Sequence, residues 1–313
     1  MRSIRATRAL LADPLFDDFG QSLQRQDLSA VTARGYRHDL DRFRAWIEQS
    51  RGAADGTVPI ARITAVELIN YRQHLVRTER LEATTINRKI QALKKLFGWV
   101  RQSGQVKTDV SADLRFLPLG RRLRPPRLTE SEVQALLRAA GQTRHGLAKR
   151  NYALLTLLLE SGLRVGEVCQ LRVGDLNVRD RSGQVKVREG KGRKEREVPL
   201  NSNARRALRL YLKGRKDPQP EHYVFLSERG GKPLALRTVQ ATLAELGHRA
   251  QIRRLPVTPH LMRHTFAQRY LQHNPGKLVE LATLLGHESL DTTAIYTRPT
   301  AEQLAISVER SQG

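Results

Sequence analysis

Four short segments carry the residue types that can do chemistry. In Ser161-Gly162-Leu163-Arg164 an arginine follows directly on the apolar run 151–160, beside a glycine, where its rigid guanidinium fork could meet a phosphate. In Thr258-Pro259-His260-Leu261-Met262-Arg263-His264 the threonine can cap a helix and the proline can take its first position. His260 and Arg263 would then share one face of the first turn, at a helix N-terminus whose free N–H groups already favour an anion. Leu284-Leu285-Gly286-His287 stops a helix at glycine and leaves a histidine on the next turn. Tyr296 follows nine residues later, beside a short helix that Asp291 could cap. Gly190-Lys191-Gly192-Arg193-Lys194 sets Lys191 at a turn between two strand-like runs. Taken singly each has a plainer reading: a cap, a solvated charge or a packed ring.

The elements that must position these residues are mostly helical. In residues 29–48, Tyr36, Leu40, Phe43, Trp46 and Ile47 recur on one helical face. Thr64 and Glu67 form a capping-box start for a second helix. A third follows Thr84-Thr85, with Ile86, Ile90, Leu93, Leu96, Phe97 and Val100 on one side and Arg88, Lys89, Lys94 and Lys95 mostly on the other. Trp46 and Trp99 are expected to pack these helices together. Residues 114–127 lose all periodicity and contain Arg121, Arg122, Arg124 and Pro125-Pro126, which predicts a basic, extended linker. Thr129, with Glu130 and Glu132 behind it, opens a new helix. Residues 151–160 are apolar nearly all round, as in a buried helix. Residues 184–188 and 196–200 alternate as two strands of a hairpin whose tip is Gly190-Lys191-Gly192. Further helices are expected at 204–212, 236–250, 259–272 and 276–285.

Charge narrows the partner. The 313 residues hold 55 Lys and Arg against 31 Asp and Glu, a net charge of +24, shared as +11 over residues 1–127 and +13 over 128–313. An excess spread over both halves is no basic tail on a neutral enzyme; it points to nucleic acid ahead of an anionic membrane surface. The single cysteine, Cys169, excludes an internal disulfide framework and a Cys-rich zinc site, and suits a reducing cytoplasm as a small buried residue. No stretch approaches a membrane span, and Asp13 and Pro14 break the N-terminal apolar run too early for a secretory signal.

The order Arg164, Lys191, His260-x-x-Arg263, His287, Tyr296 resembles the tyrosine recombinase (phage integrase) family, and within it the Xer-like recombinases. Leu-Leu-Gly-His-x-Ser-Leu-x-Thr-Thr-x-x-Tyr and Gly-Lys-Gly-x-Lys-Glu-Arg-x-Val-Pro-Leu are the most specific stretches, and Pro-His-x-x-Arg-His-x-Phe-Ala also fits. The resemblance covers residues 129–304 strongly and the basic, helical first half more loosely. It implies a mainly α fold with a small β-sheet or hairpin in two domains: a helical core-binding domain at 1–117, a linker at 118–127 and a mixed catalytic domain with a C-terminal tail at 128–313.

The activity implied is site-specific recombination of double-stranded DNA without metal, ATP or other cofactor. Tyr296 would attack the phosphate, Arg164 and Arg263 would clamp its non-bridging oxygens, and His260 and His287 would hydrogen-bond to it and help manage the nucleophile's proton. Lys191 would protonate the leaving 5′-oxygen. Arg88, Lys89, Lys94, Lys95, Arg121, Arg122, Arg124, Arg193 and Lys194 are the expected DNA contacts. The working unit would be a tetramer on DNA, of this chain alone or with a related recombinase. Two further hypotheses compete: a type IB topoisomerase using similar chemistry, and a non-catalytic DNA-binding regulator on the same scaffold. A zinc enzyme is weaker, because His260 and His264 lack the glutamate of a His-Glu-x-x-His helix.

Overall fold

A computed structural model describes residues 14–25, 30–52, 59–120, 124–143, 147–188, 195–228, 231–287 and 289–299, with short pieces of the tail at 304–305, 308–309 and 311. The chain divides into two compact units, Met1–Arg121 and Arg122–Gly313. That division falls inside the segment expected to be the linker. Arg121 and Arg122 themselves lie outside the described residues, as does the hairpin tip.

The first unit is built from α1 (Pro14–Arg25), α2 (Ala30–Ser50), α3 (Ala65–Arg77) and α4 (Ala83–Gln102). Sequence periodicity had not shown α1. The capping box at Thr64 is present, with Glu67 N–H donating to the threonine hydroxyl and the Glu67 carboxylate accepting from the Thr64 N–H. Helix α4 begins at Ala83 rather than after Thr84-Thr85, so both threonines lie in its first turn. Phe43, Leu68, Leu75, Leu96 and Val100 are fully enclosed in the core of this unit. Trp46 packs on Tyr71 with ring centres 5.1 Å apart, and Trp99 on Phe19 at 5.6 Å, as expected of the two tryptophans.

The second unit contains α5 (Glu130–Gly141), α6 (Leu147–Ser161), α7 (Val165–Gln170), a three-stranded sheet, α8 (Ser202–Lys213), α9 (Leu236–Arg249), α10 (Pro259–His273), α11 (Leu278–Leu285) and α12 (Leu290–Ala294). Helix α6 is the hub. It packs against α5, α8 and α10, which is why Leu154, Leu155, Leu157, Leu158 and Leu159 are all buried and its apolar residues run nearly all round. The sheet runs β1 (Leu176–Val178), β2 (Gly183–Val187), β3 (Arg196–Pro199), antiparallel throughout, with Leu176 opposite Val185 and Val185 opposite Val198. Strands β2 and β3 match the expected hairpin. Strand β1 adds a third, too short at three residues to show a period of two. Part of the expected linker is fastened to this unit: Gln268 Nε2 donates to Pro125 O at 2.7 Å, and Arg254 Nη2 donates to Arg127 O at 2.6 Å. Cys169 is buried. Among the described residues no helix is long and apolar enough to cross a membrane.

Candidate active site

Two left-handed glycines aim the cationic side chains. Helix α6 ends at Ser161, and Gly162 turns the chain at φ +62°. A Cβ there would stand 2.3 Å from Cδ1 of Phe266, so both backbone conformation and space demand glycine. The turn delivers Arg164 to the N-cap of α7, where its N–H donates to Glu167 Oε2 at 2.8 Å. Helix α11 ends at Gly286, φ +64°, and the His287 N–H closes back on Ala282 O at 3.0 Å, a Schellman-type bond. Helix α10 starts as its sequence demands: Leu261 N–H donates to the Thr258 hydroxyl at 3.2 Å, with Pro259 in the first turn.

Arg263, one turn into α10, is buried and held by carbonyls from both glycine turns. Its Nη1 donates to Gly162 O at 2.6 Å and its Nη2 to Leu285 O at 2.7 Å. Nη2 also donates to His287 Nε2 at 2.9 Å. A guanidinium nitrogen has no acceptor to offer, so Nε2 of His287 is the accepting nitrogen and the imidazole proton resides on Nδ1. That Nδ1 donates to Thr293 Oγ1 at 2.8 Å. Arg164 completes the cluster: Nη1 donates to Glu167 Oε1 at 3.0 Å and Nη2 to Gly286 O at 2.9 Å.

The electrostatics follow from burial. Burial, and then the charge of Arg164, bring the Arg263 guanidinium down to about 10. Burial, then Arg263, Arg164 and Arg196, push the His287 imidazole down to about 4, so it is neutral at neutral pH. Burial alone would raise the Glu167 carboxyl; Arg196 and Arg164 overcome it and hold Glu167 below the usual carboxylate range. The result is a compact positive site with one internal carboxylate.

Tyr296 lies just past α12 and is only 2% exposed, packed with Ala267, Leu281 and Leu285. Its hydroxyl is 2.8 Å from His264 Nδ1. Burial raises the phenol, and Arg263 opposes that shift, so the Tyr296 hydroxyl and the Arg263 guanidinium are within electrostatic reach. Burial, then His260 and Arg263, lower the His264 imidazole below its ordinary range. The cap of α12 is Ser289, whose hydroxyl accepts from Asp291 N–H; Asp291 sits in the first turn instead of capping it.

The structure thus brings Arg164, Arg263, His287 and Tyr296 to one place. His260 and Arg263 lie three residues apart at the start of α10, but His260 is exposed while Arg263 is buried, and the His260 ring centre is 6.4 Å from that of His264. Lys191, Arg193 and Lys194 lie outside the described residues. From the sequence, Glu167 and Arg196 receive no role in the site, and His264 is weighed only as a metal ligand. The signals are an acidic residue three after Arg164, and the arginine and second histidine inside two of the quoted motifs.

The expected DNA contacts on α4 divide. Lys89 is a correction: it is buried, with Nζ 3.2 Å from Oδ1 of the buried Asp39, and is spent on that internal ion pair. Lys94 is committed too, donating to Ser111 O at 2.6 Å and Ala112 O at 3.0 Å. Arg88 also pairs with Asp39 but keeps half of its side chain exposed. Lys95 lies over the Tyr36 ring at 5.8 Å. Arg124 is half-buried, and burial followed by Arg127 lowers its guanidinium. Among the described residues no group of three or more His, Cys, Asp or Glu is placed to hold a metal.

A mostly helical second unit that seats two arginines, a histidine and a tyrosine around one small positive site defines a class, and comparison with known proteins agrees. The "Phage integrase family" profile matches residues 126–303, and the "Phage integrase, N-terminal SAM-like domain" profile matches residues 16–104. The chain belongs to the phage integrase family. It is 31% identical to tyrosine recombinase XerA of Pyrococcus furiosus over 301 residues, covering 96% of this chain and 95% of that one. It is 34% identical to tyrosine recombinase XerC of Oceanobacillus iheyensis over 302 residues, covering 94% of each. Among solved structures, the XerA recombinase aligns over 96% of this chain and 99% of that chain at 26% identity, with a TM-score of 0.51. The XerH recombinase in its post-cleavage complex with a palindromic difH substrate shares the fold, with a TM-score of 0.74 at 19% identity over 96% of this chain and 85% of that one.

Proposed function

We infer that this protein is a site-specific DNA recombinase that cuts and rejoins strands through a 3′-phosphotyrosyl intermediate. The observation that carries the reading is the pair of guanidiniums, Arg164 and Arg263, anchored on the carbonyls of Gly286, Gly162 and Leu285 beside a neutral histidine and the Tyr296 hydroxyl. Cleaving a phosphodiester in this way needs a nucleophile, neutralisation of the charge that builds on the non-bridging oxygens, and a proton for the leaving group. Tyr296 Oη forms the bond to phosphorus and releases its proton to a neighbouring base, with His264, His260 and His287 at hand. The bond from phosphorus to the 5′-oxygen breaks, and Lys191 supplies that oxygen with its proton. Arg164 and Arg263 hold the non-bridging oxygens of the pentavalent phosphorus. The phosphotyrosyl ester keeps the bond energy, so a 5′-hydroxyl from the partner strand reverses the step without ATP.

The partner is double-stranded DNA carrying paired recombinase arms, contacted by both basic units, and the exchange takes place in a tetramer in the cytoplasm. Four protomers follow from the chemistry of exchange, since two duplexes must each be cut on both arms. Leu304 and Val308 are exposed on the tail, which supports docking of that segment on a neighbouring protomer. The test is a nicked suicide substrate that traps the covalent adduct. Wild-type protein should form it, and Tyr296→Phe should bind the DNA as tightly while forming none. An adduct that persists in Tyr296→Phe would place the nucleophile elsewhere. Relaxation of a supercoiled plasmid without exchange between two sites would favour topoisomerase activity instead.

A further inference from the structure

Arg196 opens β3 and takes part in none of the steps above, yet it is among the least exposed arginines of the site, with 11% of its side chain accessible. Nη1 and Nη2 donate to Glu167 Oε1 and Oε2 at 3.1 and 2.9 Å, a bidentate grip, and Nε donates to Leu284 O at 3.3 Å. The same guanidinium fills the space beside Gly286, where a Cβ would stand 2.8 Å from its Cζ. Arg164 is held by two anchors, the Glu167 carboxylate and the Gly286 carbonyl. Arg196 grips the first and packs beside the glycine that carries the second. It also shares Glu167 with Arg164, so the one internal carboxylate is divided between two cations.

We propose that Arg196 is a positioning residue for the phosphate step: it fixes Glu167 and the 286 turn so that the Arg164 guanidinium is set in place for the scissile phosphate, and it offsets the Glu167 charge that would otherwise fall on Arg164 alone. The proposal rests on the recombinase reading and acts entirely through Arg164. Removing Arg196 leaves a buried carboxylate that draws Arg164 inward and lowers the positive charge facing the phosphate. Misplacement of a clamping group by about 1 Å can cost on the order of 10²-fold in rate.

The test uses full-length Arg196→Met, which keeps length without charge, and Arg196→Lys, which keeps charge without the fork and covers the case in which the methionine variant fails to fold. Adduct formation is timed on three suicide substrates that differ only at the scissile phosphate: the ordinary diester, a methylphosphonate lacking one anionic oxygen, and a diester with sulfur as the bridging 5′ atom. Binding is followed in parallel by mobility shift. On the ordinary diester Arg196→Met should be roughly 10- to 100-fold slower at unchanged binding, with Arg196→Lys between it and wild type. On the methylphosphonate the deficit should shrink to a few-fold, because a neutral ester demands less of the arginine clamp. Sulfur should not restore the rate, because the departing group is not what fails. An equal deficit on all three substrates would make Arg196 a structural support, and recovery on sulfur would assign it to the leaving-group acid; either result overturns the proposal. The wild-type adduct and its loss in Tyr296→Phe test the recombinase reading separately, so the two failures are distinguishable.

Discussion

Among single residues, the site's donors fall into permanent and conditional cations. Arg263, near 10, is charged at neutral pH, whereas His287 is neutral, because burial and the neighbouring arginines hold it near 4. In the unfolded chain an ordinary histidine titrates near 6.5, so between about 6.5 and 4 the unfolded state binds a proton that the folded state refuses. The stability contributed by neutral His287 is therefore complete above about 6.5 and lost as pH falls through about 4. His264 is shifted in the same direction and adds to the effect. The melting temperature should drop across that window, by the equivalent of roughly 1 to 3 kcal/mol for His287, and His287→Gln should show a flatter profile. A parallel profile in the variant would contradict the assignment. Lys191 is tested by its leaving group. Departure of a 5′-alkoxide needs an acid, and a positioned acid contributes about 10² to 10⁴ in rate. A 5′-thiolate, whose thiol has a pKa near about 8.5, needs little help. Sulfur at the bridging position should restore Lys191→Ala but leave Arg164→Ala and Arg263→Ala impaired. A Lys191→Ala that stays slow on sulfur would make Lys191 a phosphate ligand.

At the level of elements, the two left-handed glycines turn helix ends into anchors. Gly162→Ala meets both a positive φ and the Phe266 ring at 2.3 Å. Left-handed backbone costs a side chain about 1 to 2 kcal/mol and overpacking adds about 1 to 3, so urea denaturation should show a loss of about 2 to 5 kcal/mol. Its carbonyl also accepts from Arg263, so cleavage should fall with it. Gly104, also left-handed at φ +75° but with nothing within 4 Å, provides the comparison: Gly104→Ala should lose only the backbone contribution. These helix ends were legible in the sequence, because caps and stop signals are local: Thr258-Pro259 starts α10, and Gly162 and Gly286 end α6 and α11. What stayed hidden is what acts on another side chain across the fold. Glu167 and Arg196 meet from 29 positions apart, and Arg164 reaches Gly286 over 122. Lys89 was misread for a related reason. It lies three residues after Ile86 and four before Leu93, both buried, so its Cα faces inward, and only Asp39, 50 residues away, makes a buried ammonium tolerable.

For the whole molecule, charge and domain structure set how DNA is held. The net +24 is divided between residues 1–127 and 128–313 as +11 and +13, and each compact unit has its own apolar core. Each is therefore suited to fold and to bind phosphates by itself, and the chain between them makes the second engagement intramolecular. Two consequences can be measured together. Binding should weaken steeply with salt, with the slope of log K against log salt close to −0.9 for every phosphate neutralised, because each contact releases condensed counterions. Cutting the chain should divide that slope: residues 128–313 alone should show a shallower slope and far weaker affinity at moderate salt, since they lose both the phosphate contacts of the first unit and the high local concentration that tethering provides. The internal ion pair of Lys89 sharpens the expectation. Lys89→Met should leave the slope unchanged while reducing stability, whereas Lys95→Ala and Arg88→Ala should each reduce the slope if their exposed charge meets phosphate. Equal affinity and equal slope for the full chain and residues 128–313 would mean that residues 1–127 do not grip DNA, and their +11 would need another explanation.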